Sequence, residues 1–272
     1  MTNSRVAIIA GAGRFPFYVA HEARRRGFFV GAVGLHGWAD PSLAGQVDAY
    51  EELAVGELGR LIRFLKSREI SEAIMAGKVT KEVLLDQRTA FDAEALGLLR
   101  EVREFSVSSL LGAIGQHLER EGIRLLDSST FLESALCPAG PLTARQPTPA
   151  EADDLELGRT VARALAALDV GQTVIVKGRV VVAVEALEGT DAAIRRAQAL
   201  AGSGLVVVKM ASPTQDRRFD LPVIGPETLA TLQAAGVTCL GVEAGATLLL
   251  EREALVASAN ASGMCLVGLP AV

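Results

Sequence analysis

The chain has 272 residues, half of them hydrophobic, and a mean hydropathy of +0.32. This length and composition suffice for a large buried core, arranged as one large domain or, as we favour, two smaller ones. The formal net charge of −5 and the pI near 5.4 argue against a general nucleic-acid binder, which needs a basic face.

The cysteines and the apolar segments indicate the cellular compartment in which the protein is expected. Cys137, Cys239 and Cys265 are odd in number, far apart and without a C-x-x-C pair, so we expect neither a disulfide framework nor a zinc cluster. The N-terminal apolar run is short and broken by glycines, unlike a signal peptide, and no stretch has the roughly 18 apolar residues of a membrane span. We therefore expect a cytoplasmic protein.

The first half alternates strands and helices. A buried strand over 5–10 leads into a glycine turn and a helix with Pro16 near its first turn. The remaining predicted elements of this half are strands at 28–35, 70–76 and 123–126 and helices at 56–67, 92–104 and 108–121. This alternation is typical of an α/β fold with a parallel sheet and helices on its faces.

A proline-rich segment separates the two halves. Residues 137–150 contain four prolines and a glycine without an apolar period. We therefore predict a linker between an N-terminal domain over 1–136 and a C-terminal domain over 151–272. A helix is expected to start at its end, with Thr148 as a candidate N-cap.

The second half is predicted to be mixed α/β. Two β-branched runs flanking KGR indicate a hairpin over 172–185. The elements that follow are helices from about Asp191, at 225–235 and at 251–261, and strands at 204–209, 237–243 and 264–269.

Gly11, Ala12 and Gly13 form the first candidate site. Such a turn lets the backbone approach a phosphate, and the helix after it offers free N–H groups and a positive dipole end. NAD binding is disfavoured, because Pro16 replaces the third glycine of the dinucleotide fingerprint and the second strand ends at His36 instead of an acid. A nucleotide or phosphate contact and a purely structural turn are favoured about equally.

The segment MAGKV places Gly77 and Lys78 at the carboxyl end of a predicted strand, where open α/β sheets bind ligands. A lysine there can bind phosphate as a point charge, although a surface lysine on a loop is slightly favoured. The three histidines are isolated from one another, so any metal is expected to be a hard cation on oxygen ligands, most simply Mg²⁺.

Two glutamates close the second strand of the predicted hairpin. Glu185 and Glu188 are followed by Gly189, which permits a tight turn, and then by Thr190 or Asp191 as a helix cap. A capped helix with Asp191 pairing with Arg195 explains part of this pattern, worth a few tenths of a kcal/mol. It does not explain the two acids at the strand end.

The loop after the strand at 204–209 is the most charged candidate. Lys209 ends the strand, and the prolines of PTQDRRFDLP enclose Gln215, Asp216, Arg218 and Asp220. Carboxylates can hold Mg²⁺, and basic side chains can neutralise phosphate oxygens. A solvated charged turn is the alternative, but the flanking prolines favour a site.

The segments IAGAGRFP, MAGKV, LDVGQTVIVKGRVVVAVEALEGTDAAIRR and VVVKMASPTQDRRFDLPVIGPETL together resemble the LpxI-type UDP-2,3-diacylglucosamine pyrophosphatases of lipid A biosynthesis. The resemblance covers nearly the whole chain. It implies a Rossmann-like N-terminal domain, a distinct C-terminal domain, a substrate held between them and a homodimer. It also implies Mg²⁺-dependent hydrolysis to UMP and 2,3-diacylglucosamine 1-phosphate.

The resemblance assigns roles to the residues above. Its catalytic aspartate belongs to a Q-D-x-R-x-D-x-P block, which leads us to expect Asp220 first. The expected catalytic set is Asp220, Asp216, Lys209 and Arg218, and the expected Mg²⁺ ligands are Asp220, Asp216 and Glu188. The expected substrate-binding residues are Gly11, Ala12, Gly13, Gly77, Lys78, Gln172, Lys177, Glu185, Glu188, Gly189, Thr190, Asp191, Arg195 and Gln215.

One departure from the family and two rival functions accompany this expectation. Ser106, Ser108 and Ser109 stand where a Gly-Asp-Asp type turn is expected between two helices. The rivals are a non-catalytic module that binds a nucleotide sugar and, less favoured, a nucleotide-dependent oxidoreductase. An amphiphilic substrate would require contact with the inner membrane face. We expect this contact to be transient, because no amphipathic anchor is evident in the sequence.

Overall fold

The computed structural model describes residues 4–79, 90–102, 107–212, 216–219 and 221–271. The chain divides into two compact units. Unit 1 comprises Met1–Leu132 and Asp216–Asp220, and unit 2 comprises Glu133–Gln215 and Leu221–Val272.

Unit 1 contains a five-stranded sheet in which all pairs are parallel, as predicted. Its strands are β1 (Arg5–Ala10), β2 (Phe29–Leu35), β3 (Ala49–Leu53), β4 (Glu72–Ala76) and β5 (Arg124–Leu125). The order β3-β2-β1-β4-β5 is that of a doubly wound, Rossmann-like sheet. Because β1 and β4 are neighbours, the turns that follow them lie side by side.

In the residues that the structure describes, four α-helices accompany this sheet. They are α1 (Phe15–Arg25), α2 (Leu58–Ser67), α3 (Ala93–Glu101) and α4 (Val107–Arg120). Pro16 lies in the first turn of α1, and Asp92 caps α3 by accepting the Ala95 N–H. Buried side chains from the strands and from α2, α3 and α4 form one core.

Strand β3 was absent from the sequence-based prediction. Its sequence AYEEL lies at the edge of the sheet, and Leu53 is its one buried residue. An edge strand with two glutamates has no apolar run to mark it.

Unit 2 contains a six-stranded mixed sheet of order β6-β13-β11-β9-β7-β8. Its strands are β6 (Gly140–Pro141), β7 (Thr173–Lys177), β8 (Val180–Val184), β9 (Leu205–Lys209), β11 (Val237–Glu243) and β13 (Cys265–Leu269). Strands β9, β11 and β13 are parallel, whereas β7 pairs antiparallel with both β8 and β9. The predicted hairpin and the three predicted strands are therefore confirmed. The short strands β10 (Val223–Ile224) and β12 (Leu248–Leu249) pair separately.

The helices of unit 2 cover both faces of this sheet. They are α5 (Pro149–Ala167), α6 (Thr190–Ala201), α7 (Pro226–Ala234) and α8 (Arg252–Ala261). Helix α5 starts as predicted, with Thr148 accepting the Glu151 N–H and Glu151 accepting the Thr148 N–H in a capping box. One apolar cluster involves α5, and a second involves α6, α7 and α8. None of the described helices is long and apolar enough to cross a membrane.

The segment 137–150, predicted to be a linker, is a packed part of unit 2. Cys137 is 1% exposed and donates its N–H to the Thr247 carbonyl, and β6 pairs with β13. Arg145 forms an ion pair with Glu151 at 2.7 Å. The prolines of this segment remove helical periodicity without removing tertiary contacts, which is why composition alone suggested a linker.

Candidate functional site

Lys209 forms the centre of a buried polar cluster in unit 2. It ends β9, and antiparallel pairing places Thr173, the first residue of β7, directly opposite. Lys209 is 8% exposed, and its Nζ donates to the hydroxyls of Thr173 at 3.3 Å and Thr190 at 3.0 Å. Two of its three N–H donors are thus used within the part of the chain that the structure describes.

Glu185 supplies the negative charge of this cluster. Its Oε2 lies 3.7 Å from Lys209 Nζ, and its Oε1 accepts the Thr190 hydroxyl at 2.8 Å. Burial acts to raise the pKa of Glu185, but attraction by Lys209 and the hydroxyls of Thr173 and Thr190 leaves that pKa lowered. We name Thr173, Glu185, Thr190 and Lys209 the Lys209 cluster.

The N-terminus of α6 adjoins the Lys209 cluster. Gly189, with φ of +81°, occupies the N-cap position without a side-chain cap, so the expectation that Thr190 or Asp191 caps this helix is wrong. The Thr190 hydroxyl is engaged by Glu185 and Lys209 instead. Asp191 Oδ1 is buried and has no hydrogen-bond partner among the described residues. The N-terminus of a helix beside a buried ammonium favours an anion.

Three other predicted residues of this region lie outside the Lys209 cluster. Lys177 is at the other end of β7, four residues and about 13 Å from Thr173, and its Nζ donates to the carbonyls of Ala201 and Ser203. Arg195 is exposed on α6, and Glu188 forms an ion pair with Arg196. Because β7 runs antiparallel to β9, the start of β7 lies beside Lys209 and its last residue, Lys177, lies at the other end of the strands.

Gln172 contacts the Lys209 cluster through a backbone hydrogen bond that helps to lower the pKa of Glu185. Its carbonyl accepts the Met210 N–H at 3.0 Å, which ties the residue before β7 to the residue after β9.

In unit 1 the structure brings the two predicted glycine segments together. Ala12 and Lys78 exchange backbone hydrogen bonds of 2.8 and 2.9 Å. A Cβ on Gly11 would lie 2.7 Å from the Lys78 carbonyl oxygen, and a Cβ on Gly77 would lie 2.7 Å from the Gly11 carbonyl carbon. Gly13, with φ of +89°, has nothing within 4 Å of such a Cβ. Gly11 and Gly77 are therefore required for close backbone approach, whereas Gly13 faces open space.

Residues 216–219 of the predicted catalytic loop belong to unit 1. Asp216 is bound by Arg218, whose Nε lies 3.0 Å from Oδ1 and whose NH2 lies 2.6 Å from Oδ2. This hydrogen bonding lowers the pKa of Asp216. Arg218 also contacts Glu119 at 3.2 Å.

Of the three predicted Mg²⁺ ligands, the structure describes Asp216 and Glu188. Gln215 and Asp220 lie outside the described residues. Asp216 is occupied by Arg218, and Glu188 accepts from Arg196 and from the Ala186 N–H at 3.1 Å. Carboxylates neutralised by arginine in this way are poor ligands for a hard cation.

A different group of possible ligands occurs on α3 and α4. Ligand atoms of Glu94, His117 and Glu121 lie within 4.8 Å of one another, so His117 is less isolated than the sequence suggested. Glu121 pairs with Lys66 at 2.5 Å, and Arg120 NH2 lies 3.4 Å from His117 Nδ1. Two cations beside the group disfavour a metal ion, and we interpret it as an ion-pair network.

Sequence reasoning missed two polar contributors. Thr173 reads as an ordinary β-branched strand residue, and nothing in its sequence context marks its contact with Lys209. Glu243 was detectable, because it closes the buried strand β11 as Glu185 closes the hairpin. It is 4% exposed, accepts the Ala211 N–H at 2.9 Å and pairs with Arg163 at 3.2 Å.

Comparison with known proteins gives matches over both halves. A family model described as the LpxI N-terminal domain matches residues 5–135, and one described as the LpxI C-terminal domain matches residues 138–267. UDP-2,3-diacylglucosamine pyrophosphatase LpxI of Caulobacter vibrioides is 30% identical over 280 residues, covering 97% of each protein.

Solved structures resemble the chain much more distantly. CobK precorrin-6A reductase is 13% identical, with 99% of this chain and 88% of that chain covered at a TM-score of 0.28. Glycinamide-RNase-transformylase T from Mycobacterium tuberculosis is 17% identical, with 66% and 44% covered at a TM-score of 0.25. Likenesses at these scores carry no argument.

Proposed function

This chain belongs to the LpxI family, and on that premise we propose that it is a UDP-2,3-diacylglucosamine pyrophosphatase of lipid A biosynthesis. Water attacks one phosphorus of the P–O–P bridge, and the bridging oxygen leaves with the other phosphoryl group. The products are UMP and 2,3-diacylglucosamine 1-phosphate. The match along 97% of the chain to a relative that carries this name supports the proposal.

The structural observation that carries the proposal is the buried ammonium of Lys209. A pyrophosphate gains charge on its leaving and equatorial oxygens as the bond breaks, and a fixed cation in a low-dielectric site stabilises that charge. Lys209 is held by Thr173 and Thr190 beside the N-terminus of α6, so little reorganisation is needed when the anion arrives. Glu185 keeps the cluster neutral before substrate binds.

The loop after β9 supplies the other proposed groups. We assign Asp220 the role of orienting the attacking water, because the family resemblance places the catalytic aspartate in this block. Arg218 offsets phosphate charge, and Asp216 orients Arg218 by accepting hydrogen bonds from its guanidinium. The N–H groups of Gly11 and Ala12 are donated to the carbonyls of Ala76 and Lys78, so these two residues are proposed to shape the turn, while Gly13 and the side chain of Lys78 are proposed to contact the nucleotide.

The proposed Mg²⁺ requirement rests on the resemblance. Asp216 and Glu188 are both bound by arginine, so these described carboxylates do not fit a ready metal site. We therefore derive no step through the ion. A homodimer is likewise proposed from the resemblance, and light scattering of the purified chain tests it.

The decisive experiment measures UMP release from UDP-2,3-diacylglucosamine by the full chain, with Mg²⁺ and with EDTA. We expect turnover with Mg²⁺ and a fall of about 10²- to 10³-fold on Asp220→Asn, the usual effect of losing a main catalytic contact. Substrate binding without UMP release would instead identify a nucleotide-sugar-binding module. Undiminished release in EDTA would reject the metal requirement alone, and near wild-type turnover by Asp220→Asn would reject its catalytic role.

A further inference from the structure

Residues 216–219 form a docked segment that unit 1 holds by its backbone. The Ser128 N–H donates to the Arg217 carbonyl at 2.9 Å, and the Ser128 hydroxyl lies 3.0 Å from the Arg218 carbonyl. The same hydroxyl lies 2.9 Å from the carbonyl of Met75 in β4. Ser128 is 1% exposed, so these contacts are shielded from water. One buried serine thus links the segment to a strand of the unit 1 sheet.

The side chain of Phe219 supplies a second anchor. Phe219 packs against the core formed by the unit 1 strands and helices. A Cβ on Gly115 of α4 would lie 2.9 Å from Phe219 Cζ and 3.4 Å from Cε1. Gly115 therefore leaves the space that the ring occupies. Glycine is unfavourable inside a helix, yet residue 115 of α4 is a glycine at the point where the docked segment contacts the helix.

Ion pairs complete the attachment. Arg217 Nε lies 2.8 Å from Asp127 Oδ2, and Arg217 NH2 lies 3.2 Å from Ser129 Oγ. The Phe219 N–H donates to the Asp216 carbonyl at 3.1 Å and closes the turn. The segment is thus fixed at its backbone, at an arginine and at an aromatic ring, far more than a solvated charged turn requires.

We propose that Ser128 and Gly115 are positioning residues for the pyrophosphatase loop, acting by fixing the backbone of Arg217, Arg218 and Phe219. This inference rests on the proposed function, in which Arg218 offsets phosphate charge and Asp220, the next residue after Phe219, is catalytic. Misplacing a reacting group by about 1 Å can cost about 100-fold in rate. Neither Ser128 nor Gly115 touches the substrate in this proposal.

The test compares two glycines of α4. Gly115→Ala places a methyl group against the Phe219 ring, whereas Gly112→Ala adds one at a site with nothing within 4 Å. Both gain helix propensity of up to about 1 kcal/mol. We expect kcat for UMP release to fall about 10- to 100-fold in Gly115→Ala, with KM within threefold, and to stay within twofold in Gly112→Ala. Equal kcat values in the two variants would overturn the proposal.

Rescue separates positioning from general damage to the fold. In the double variant Gly115→Ala with Phe219→Leu, a smaller side chain makes room for the added methyl group, and most of the lost kcat is expected to return. Ser128→Ala is expected to lower kcat and to leave KM within threefold, while Ser67→Ala, at an exposed serine on α2, is expected to leave both kcat and KM unchanged. A loss of kcat in Gly115→Ala that the double variant leaves unchanged would contradict the proposal.

Amide hydrogen exchange measures the docking of residues 216–219 without relying on turnover. The Ser128 N–H is protected by the Arg217 carbonyl, so undocking of the segment exposes it. We expect at least tenfold faster exchange of this amide in Gly115→Ala than in Gly112→Ala. If wild type releases no UMP but the exchange differs as expected, the docking survives and the proposed function fails. If wild type turns over and the exchange is the same in both variants, the positioning inference fails.

Discussion

The two units finish their parallel strands in opposite ways. In unit 1, the turns after β1 and β4 meet through backbone atoms, with Gly11 and Gly77 in contact and Ala12 bonded to Lys78. In unit 2, the end of β9 meets side chains, with buried Lys209 beside hydroxyls and a carboxylate. The first edge is sensitive to added volume and the second to a change of charge. The same α/β architecture thus makes two chemically different surfaces.

This contrast matters for a substrate with a nucleotide and a pyrophosphate. At the glycine turn, the N–H groups of Gly11 and Ala12 already bond backbone carbonyls, so this edge offers close packing and few free donors. A buried lysine held by two hydroxyls is fixed in place and can stabilise charge that develops during reaction. In the proposed function, the charge stabilisation that unit 2 supplies therefore comes chiefly from Lys209.

The largest effect is expected at Lys209. Lys209→Met leaves Glu185 buried without its cation, and breaking such a pair typically costs about 3 to 5 kcal/mol of unfolding free energy. Loss of the ammonium should also lower kcat about 10²- to 10³-fold. Lys177→Met is the matched control on the neighbouring strand, and its turnover should stay within threefold because Lys177 bonds carbonyls at the far edge.

A double variant separates the two consequences of that change. Lys209→Met with Glu185→Leu removes both charges, so the unfolding free energy should recover most of its loss while kcat stays low. Urea denaturation and UMP release measure the two quantities on one preparation. Recovery of both would show that Lys209 contributes only to folding.

The next effect concerns volume at the unit 1 edge. Gly77→Ala would set a Cβ 2.8 Å from the Ala12 carbonyl oxygen at a φ of +97°, which combines overpacking with strain. We expect a loss of roughly 3 kcal/mol or more in unfolding free energy. Gly13→Ala meets strain alone and should cost about 1 to 2 kcal/mol. Equal losses in urea denaturation would refute the close-approach explanation.

The features that were predicted correctly from the sequence depend on residues close together in the chain. Strand β11 was predicted with the bounds Val237–Glu243 that the structure has, and Thr148 was predicted as the N-cap of α5, because both are local patterns. Gly77 was predicted at the carboxyl end of a strand, where open α/β sheets bind ligands, but its close approach to Gly11 was not predicted.

Other features depended on distant partners. Thr173 lies 36 positions before Lys209, and Ser128 lies about 90 before Arg218, so no local period marks either contact. Lys177 was predicted to be part of the site because the hairpin prediction did not specify which end of β7 lies beside Lys209.

A pH series sharpens the contrast between the edges. The pKa of Glu185 is lowered in the folded protein, so its stabilising contribution is present above the unfolded value near 4.3 and is lost as pH falls through the folded pKa. The difference in unfolding free energy between wild type and Glu185→Gln should therefore narrow below about pH 4. The same series with Gly77→Ala should show a difference that does not vary with pH, since no titrating group is changed.

The smallest effect is expected at Glu188. Its pair with Arg196 is partly exposed, with 32% and 47% of the two side chains accessible, so Glu188→Gln should change the unfolding free energy by no more than about 0.5 kcal/mol. Because Arg196 and the Ala186 N–H already satisfy this carboxylate, turnover and the Mg²⁺ concentration for half-maximal rate should stay within twofold. Titration of UMP release against Mg²⁺ in both proteins measures this. A tenfold higher Mg²⁺ requirement in Glu188→Gln would instead make Glu188 a metal ligand, and the unit 2 edge would then hold both the lysine and the ion.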